Sequence, residues 1–176
     1  PRFDTDLAKR LKAALGKRGI AIETSAQVTG IIPGSVQWTK AGKAFETPAD
    51  CILMAVGRKP ALQSLNLEAA GIEYDPRGIK VDENMQTSAP GVYAVGDVTG
   101  GMMLAHVATA QGRRALNHIC GRSDGINFGI VPAAVFTVPE AATVGKSEEE
   151  CEGLDICTGK ANYRANGKAV ASGEAD

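Results

Sequence analysis

The 176 residues carry 19 Lys and Arg against 20 Asp and Glu, a net charge of -1 that gives a nucleic acid or an anionic membrane nothing to grip by bulk electrostatics. Hydrophobic residues at 44% and charged residues at 22% are the balance of a soluble globular chain, and no apolar run approaches the ~20 residues that cross a bilayer. The four cysteines, Cys51, Cys120, Cys151 and Cys157, form no CxxC pair, which fits a cytoplasmic chain with scattered thiols.

In chain order, Asp4 to Leu15 has the spacing of an amphipathic helix. Leu7, Leu11, Ala14 and Leu15 share one face, Asp4 or Thr5 caps the start, and Gly16 or Gly19 ends it. Ile20 to Thr24 alternates as a strand. Val28 to Ile32, Ser35 to Thr39 and Ala44 to Thr47 read as an antiparallel meander, turning at Pro33-Gly34 and at Ala41-Gly42-Lys43. Cys51 to Val56, CILMAV, is an unbroken apolar run of the kind buried on both faces of a parallel sheet. Gly57-Arg58-Lys59-Pro60 ends it.

Leu62 to Ala70 is a short helical turn stopped by Gly71, and Ile72 to Val81 holds extended pieces around Pro76-Arg77-Gly78. The stretch from Thr87 to Gln111 follows: a turn at Ala89-Pro90-Gly91, a strand at Val92 to Val95, then Gly96-Asp97. Past Gly100-Gly101 comes a helix starting near Leu104, with Val107, Ala108, Ala115, Leu116 and Ile119 at helical spacing and Gly121 at its end. Further on, Ala133 to Thr137 and Ala141 to Val144 read as strands, Ser147 to Cys151 as a helix start, and Ile156 to Tyr163 with Ala169 to Gly173 as a hairpin. The chain thus divides into three unequal pieces with borders near Pro60 and Ser123.

A buried strand that ends in a carboxylate and hands over to a helix N-terminus is the plan of a nucleotide site in an α/β sheet. An ionised Asp97 only accepts hydrogen bonds, so its natural partner is a hydroxyl, such as one on a ribose or ribityl chain. The residues alone leave an N-cap or loop aspartate equally open. The helix start at Met103 to His106 offers amides and a partial positive charge to an electron-rich ligand edge. His106 has no second histidine or cysteine beside it and reads as well as a structural histidine; His118 is packing or surface. Gly57 permits close approach of a cofactor or makes a plain turn, and Arg58 and Lys59 meet phosphate or solvent. Glu140 is a buried acid or a strand terminus. There is no Ser/His/Asp arrangement, metal-ligand cluster, P-loop or GxGxxG.

Three phrases, DCILMAVGRKP at 50–60, TSAPGVYAVGDVTGGMMLAHVATAQG at 87–112 and VPAAVFTVPEAATVG at 131–145, resemble the flavin-dependent pyridine nucleotide–disulfide oxidoreductases. The run Met103-Leu104-Ala105-His106 is most similar to the dihydrolipoamide dehydrogenases among them. The resemblance implies an α/β fold with parts of two Rossmann-like nucleotide-binding domains followed by the start of an α+β dimerisation domain: 1–59 the C-terminal part of an NAD-binding domain, 60–122 the C-terminal part of an FAD-binding domain, and 123–176 the beginning of the dimerisation domain. It implies FAD and NAD as cofactors, with Asp97 on the ribityl hydroxyls, Met103, Leu104, Ala105 and His106 against the flavin, Gly57 along NAD and Val28 near its adenosine end. It implies electron transfer from a dihydrolipoyl dithiol, free or on a lipoyl-bearing protein, through an enzyme disulfide and FAD to NAD+, in a homodimer that uses neither nucleic acid nor membrane. The family's redox pair, two cysteines with four residues between them, is absent from the sequence. So are both glycine-rich dinucleotide motifs and the His-Glu acid/base pair, so the chain is expected to be an interior segment without catalytic residues of its own. A glutathione or mercuric reductase type, or a non-catalytic nucleotide-binding module, is the alternative.

Overall fold

In the computed structural model, which describes residues 3–173, helix α1 runs Thr5–Lys17. Its end is fixed by sequence: the Gly19 amide bonds to Gly16 O at 3.0 Å and the Ile20 amide to Leu15 O at 3.2 Å, the paired back-bonds that close a helix at a glycine. Asp4 holds the N-cap position, but its carboxylate accepts from the Glu148 amide at 2.7 Å instead of from its own helix. The Thr5 amide bonds to Glu149 Oε1, which brings the Glu149 carboxyl down to about 2.

Strands β1 (Gln27–Ile32), β2 (Ser35–Lys40) and β3 (Lys43–Pro48) form the expected antiparallel meander in the order β1-β2-β3. The register shifts between Val28 and Gly30, a bulge that restores Ile31 to the face carrying Val28. That face also holds Trp38 and Phe45, which are cross-strand partners stacked at 4.4 Å. Strands β4 (Tyr74–Asp75) and β5 (Gly78–Ile79) make a short hairpin, and β6 (Ala133–Val135) with β7 (Ala141–Thr143) makes another. Helix α2 spans Ala105–Ile119 and closes at Gly121 by the same paired back-bonds as α1.

The described residues fall into two compact units. One comprises the chain up to Ile52 with the chain from Pro132 onward; the other is Leu53–Val131. The second unit has its own small core of Leu67, Ile79 and Ala94, flanked by Leu62, Ile72, Val81 and Val98. Its far end is tied by Arg114, which grips the Asp124 carboxylate through Nε at 2.8 Å and 3.0 Å and donates to the Glu83 and Ile126 carbonyls. Burial pushes the Asp124 carboxyl up, but the Ile126 amide, Asn117 and Arg114 outweigh it and hold it below the usual range.

Four expectations are corrected. Cys51 to Val56 belongs to no ladder: Leu53 is 88% and Val56 90% exposed, because a parallel strand needs a hydrogen-bonded neighbour and no described residue supplies one. Val92 to Val95 makes only a bridge between Tyr93 and Gln86, with the Ala94 amide on Met85 O. Ile20 to Thr24 is irregular for the same want of a partner. The hairpin expected at 156–173 is absent: Gly167–Ser172 is helix α3, capped by Asn166, whose side chain accepts from the Lys168 and Ala169 amides. A cap and an alanine-rich turn prevail there over weak alternation. Among the described residues no helix is long and apolar enough to cross a membrane.

Candidate functional site

Asp97 sits in a single tight helical turn, Gly96–Thr99, that follows the extended Val95. The turn is closed from within by the Gly100 amide on Asp97 O at 3.1 Å and by Thr99 Oγ1 on Gly96 O at 2.8 Å. Its base is buried and its carboxylate is not: Gly96 is buried, and the Asp97 side chain is 44% exposed. Upstream, the buried Thr87 locks the turn at 87–92. Its amide and its hydroxyl both reach Val92 O, at 2.8 Å and 3.0 Å.

Two elements grip this turn. Helix α2 packs on it directly. The Gly96 amide donates to Gln111 Oε1 at 2.7 Å, and a Cβ on Gly96 would come within 3.1 Å of the Ala108 methyl. Further along, the Tyr93 hydroxyl and His118 Nδ1 share a 2.8 Å hydrogen bond, so α2 is bonded to residues 93 and 96 along its length. From the other side comes the β4–β5 tip. A Cβ on Gly100 would stand 1.6 Å from Arg77 O, so only glycine permits this approach. The Asp75 carboxylate organises that tip by accepting from the Arg77 and Gly78 amides and from Lys80, whose hydrogen bond does most to hold it at about 2.

The N-terminus of α2 thus lies beside the turn that carries Asp97. Its N-cap, Leu104, is extended and has no side-chain acceptor for the first-turn amides. Met103 and Leu104 are half-buried; Ala105 and His106 are exposed. An exposed carboxylate next to a helix start that lacks a side-chain cap fits a polyhydroxyl chain joined to an electron-rich ring edge. Of the basic pair, Arg58 approaches Asp97 Oδ2 at 3.4 Å while 77% exposed, an ion pair too open to define a site. Gly57 has φ +120 with open space around it. Val28 belongs to the other unit and is 59% exposed on the meander. Glu140 is exposed just before β7, which overturns the buried-acid reading. A hollow of about 470 Å³ lined by Glu148, Glu149, Cys151 and Ile156 includes none of the candidate residues. The described residues hold no cluster of three or more His, Cys, Asp or Glu placed for a metal.

Comparison with known proteins decides the family. Residues 1–112 match the pyridine nucleotide-disulphide oxidoreductases. The chain belongs to this family. It is 37% identical over 180 residues to dihydrolipoyl dehydrogenase of Bacillus subtilis, covering 100% of the chain and 39% of that protein. It is 37% identical over 184 residues to the mitochondrial dihydrolipoyl dehydrogenase of Homo sapiens, covering 99% of the chain and 36% of that protein. Among solved structures, the HOCl-induced flavoprotein disulfide reductase RclA from Escherichia coli aligns with a TM-score of 0.84 at 29% identity, over 99% of this chain and 41% of that one. LpdA from Mycobacterium tuberculosis aligns at 0.77 and 32%, over 98% and 39%. The chain therefore spans about two fifths of the length of these relatives.

Gln111 is the residue that sequence reasoning missed. It lies on the stripe of Val107 and Ala115, four residues from each, and a polar side chain on the buried stripe of a helix was the available signal.

Proposed function

We propose that this chain is the part of a dihydrolipoamide dehydrogenase-like flavoenzyme that holds one side of FAD. Asp97 accepts hydrogen bonds from the ribityl hydroxyls, and the Met103, Leu104, Ala105 and His106 stretch meets the flavin, mostly through backbone. Gly57 lies along NAD and Val28 near its adenosine end. The segments 1–59, 60–122 and 123–176 are then parts of the NAD-binding, FAD-binding and dimerisation domains. When bound, FAD carries electrons from a dithiol, by way of a disulfide, to NAD+. The chain's own residues bind and orient. The observation that carries this reading is the half-exposed Asp97 carboxylate on a turn whose first residue, Gly96, is buried against α2 near its N-terminus.

The substrate on this reading is a dihydrolipoyl group, free or on a lipoyl-bearing protein, and the full-length enzyme is a homodimer in the cytoplasm. The 37% identity to two dihydrolipoyl dehydrogenases supports the substrate class. The likeness to RclA, a disulfide reductase, favours as second reading another disulfide reductase of the family. The test is full-length protein, with its flanking sequence, assayed for bound flavin and for NAD+ reduction by dihydrolipoamide. Wild type is expected to carry flavin and turn over, and Asp97→Ala to lose flavin on gel filtration. Full retention of flavin by Asp97→Ala refutes the assignment. The 176-residue chain alone, without glycine-rich dinucleotide loops or the cysteine pair, is expected neither to hold FAD tightly nor to turn over. A stoichiometric flavin spectrum from it refutes that expectation.

A further inference from the structure

Helix α2 and the Asp97 turn each contribute to the proposed flavin site, so their relative height along the helix axis decides whether both reach one cofactor. The positive end of α2 is at Ala105, and Gln111 lies six residues further, ~9 Å along the axis. Gln111 Oε1 accepts from the Gly96 amide at 2.7 Å, and Gly96 immediately precedes Asp97. Gly96 is buried, and its α-carbon lies so near Ala108 that even a methyl group would come within 3.1 Å. A buried amide left without a partner is costly, and Gln111 Oε1 is the acceptor that the Gly96 amide has in the structure. The neighbouring Val107 and Ala115 on the same stripe are buried and apolar, and they hold the helix without setting its register against a polar group.

We propose that Gln111 is a positioning residue for FAD, fixing the Gly96–Asp97 peptide against α2 so that the Asp97 carboxylate and the N-terminus of α2 address the same bound cofactor; this rests on the flavin reading above. The side chain touches no cofactor atom in this role. Its chemistry is that of an acceptor, which a carboxylate shares and a leucine of similar volume lacks.

The experiment uses the full-length protein and four forms: wild type, Gln111→Leu, Gln111→Glu and Ala141→Gly, the last at a buried strand residue of the other compact unit. Three quantities are read: the FAD dissociation constant from reconstitution of the apoprotein, the visible circular dichroism of bound flavin, and the exchange protection of the Gly96 amide. Gln111→Leu is expected to strip protection from the Gly96 amide, weaken FAD tenfold or more and change the flavin dichroism. Gln111→Glu keeps the acceptor and returns FAD affinity to within threefold of wild type. Ala141→Gly lowers the unfolding midpoint but leaves the flavin dichroism as in wild type. Loss of Gly96 protection in Gln111→Leu with FAD affinity within threefold of wild type overturns the positioning role and leaves the flavin reading standing. Failure of Gln111→Glu to restore affinity also overturns it. A wild type that binds no FAD overturns both.

Discussion

Replacing Gly100 with alanine puts a methyl group where the Arg77 carbonyl already stands. The new Cβ would lie 1.6 Å from Arg77 O, 2.4 Å from Arg77 C and 3.1 Å from Gly78 N. These are backbone atoms, and contacts below 3.0 Å are not sustained, so the hairpin tip must retreat by about 1.4 Å from the Asp97 turn. Two costs add. Alanine at the φ of +70 found here loses ~1–2 kcal/mol, and forcing atoms into a filled contact costs a further ~1–3 kcal/mol. Gly100→Ala therefore loses ~2–5 kcal/mol. Gly91→Ala isolates the first cost, because Gly91 has φ +76 but open space around it. Gly112→Ala removes both: it lies inside α2 with nothing near it and is expected to stabilise by ~0.5–1 kcal/mol. Urea unfolding followed by far-ultraviolet circular dichroism ranks the three. If Gly100→Ala and Gly91→Ala unfold at the same midpoint, the interlock between the hairpin and the Asp97 turn carries no stability and the reasoning is wrong.

Three further outcomes are expected. Leu67→Ala, at the centre of the second unit's core, should cost ~2–5 kcal/mol, read from the same unfolding curves. The Asp75 carboxyl should titrate in the folded chain near 2, below the ordinary 3.8, by carbon-detected NMR. Its folded value is depressed, so the stability it contributes is present above about pH 4 and is lost as the pH falls toward 2; a midpoint near 3.8 would mean that Lys80 and the Arg77 amide do not engage it. Arg114→Ala should release Asp124 and residues 126–128 together, raising amide exchange there while leaving the Gly96 amide protected.

What the sequence made legible was what is local. Both long helices end where a glycine takes the left-handed position after them, and the meander turns where Pro33-Gly34 and Ala41-Gly42 stand, because those features depend on a few neighbouring residues. The strand-turn-helix plan around Asp97 was legible for the same reason, although its strand proved to be one bridge. The illegible features couple residues distant in sequence. The fit of Gly100 against Arg77 is not written in either segment, and the bond from Gly96 to Gln111 joins residues fifteen apart through a side chain that propensity places anywhere on a helix. The segment 156–173 misled because two alternating runs looked like a hairpin, whereas the Asn166 cap needed only its own next turn.

The run at 51–56 is a different kind of disagreement, and it carries a prediction. Its composition is that of a strand covered on both faces, yet Leu53, Met54 and Val56 stand open to solvent. Covering one such side chain gains ~1.5–3 kcal/mol, so the three together offer ~5–9 kcal/mol to any surface that closes over them. Their backbone adds unpaired donors and acceptors that a second extended segment can use. At micromolar concentration the 176-residue chain should therefore self-associate through this run, visible as a sedimentation coefficient that rises with concentration. The double substitution Leu53→Glu and Val56→Lys places opposite charges where the side chains already meet water, so it should return the chain to a monomer while moving the unfolding midpoint little. A wild-type chain that stays monomeric across that range, or a double variant that associates as strongly as wild type, would show that the exposed run is not what holds the chains together.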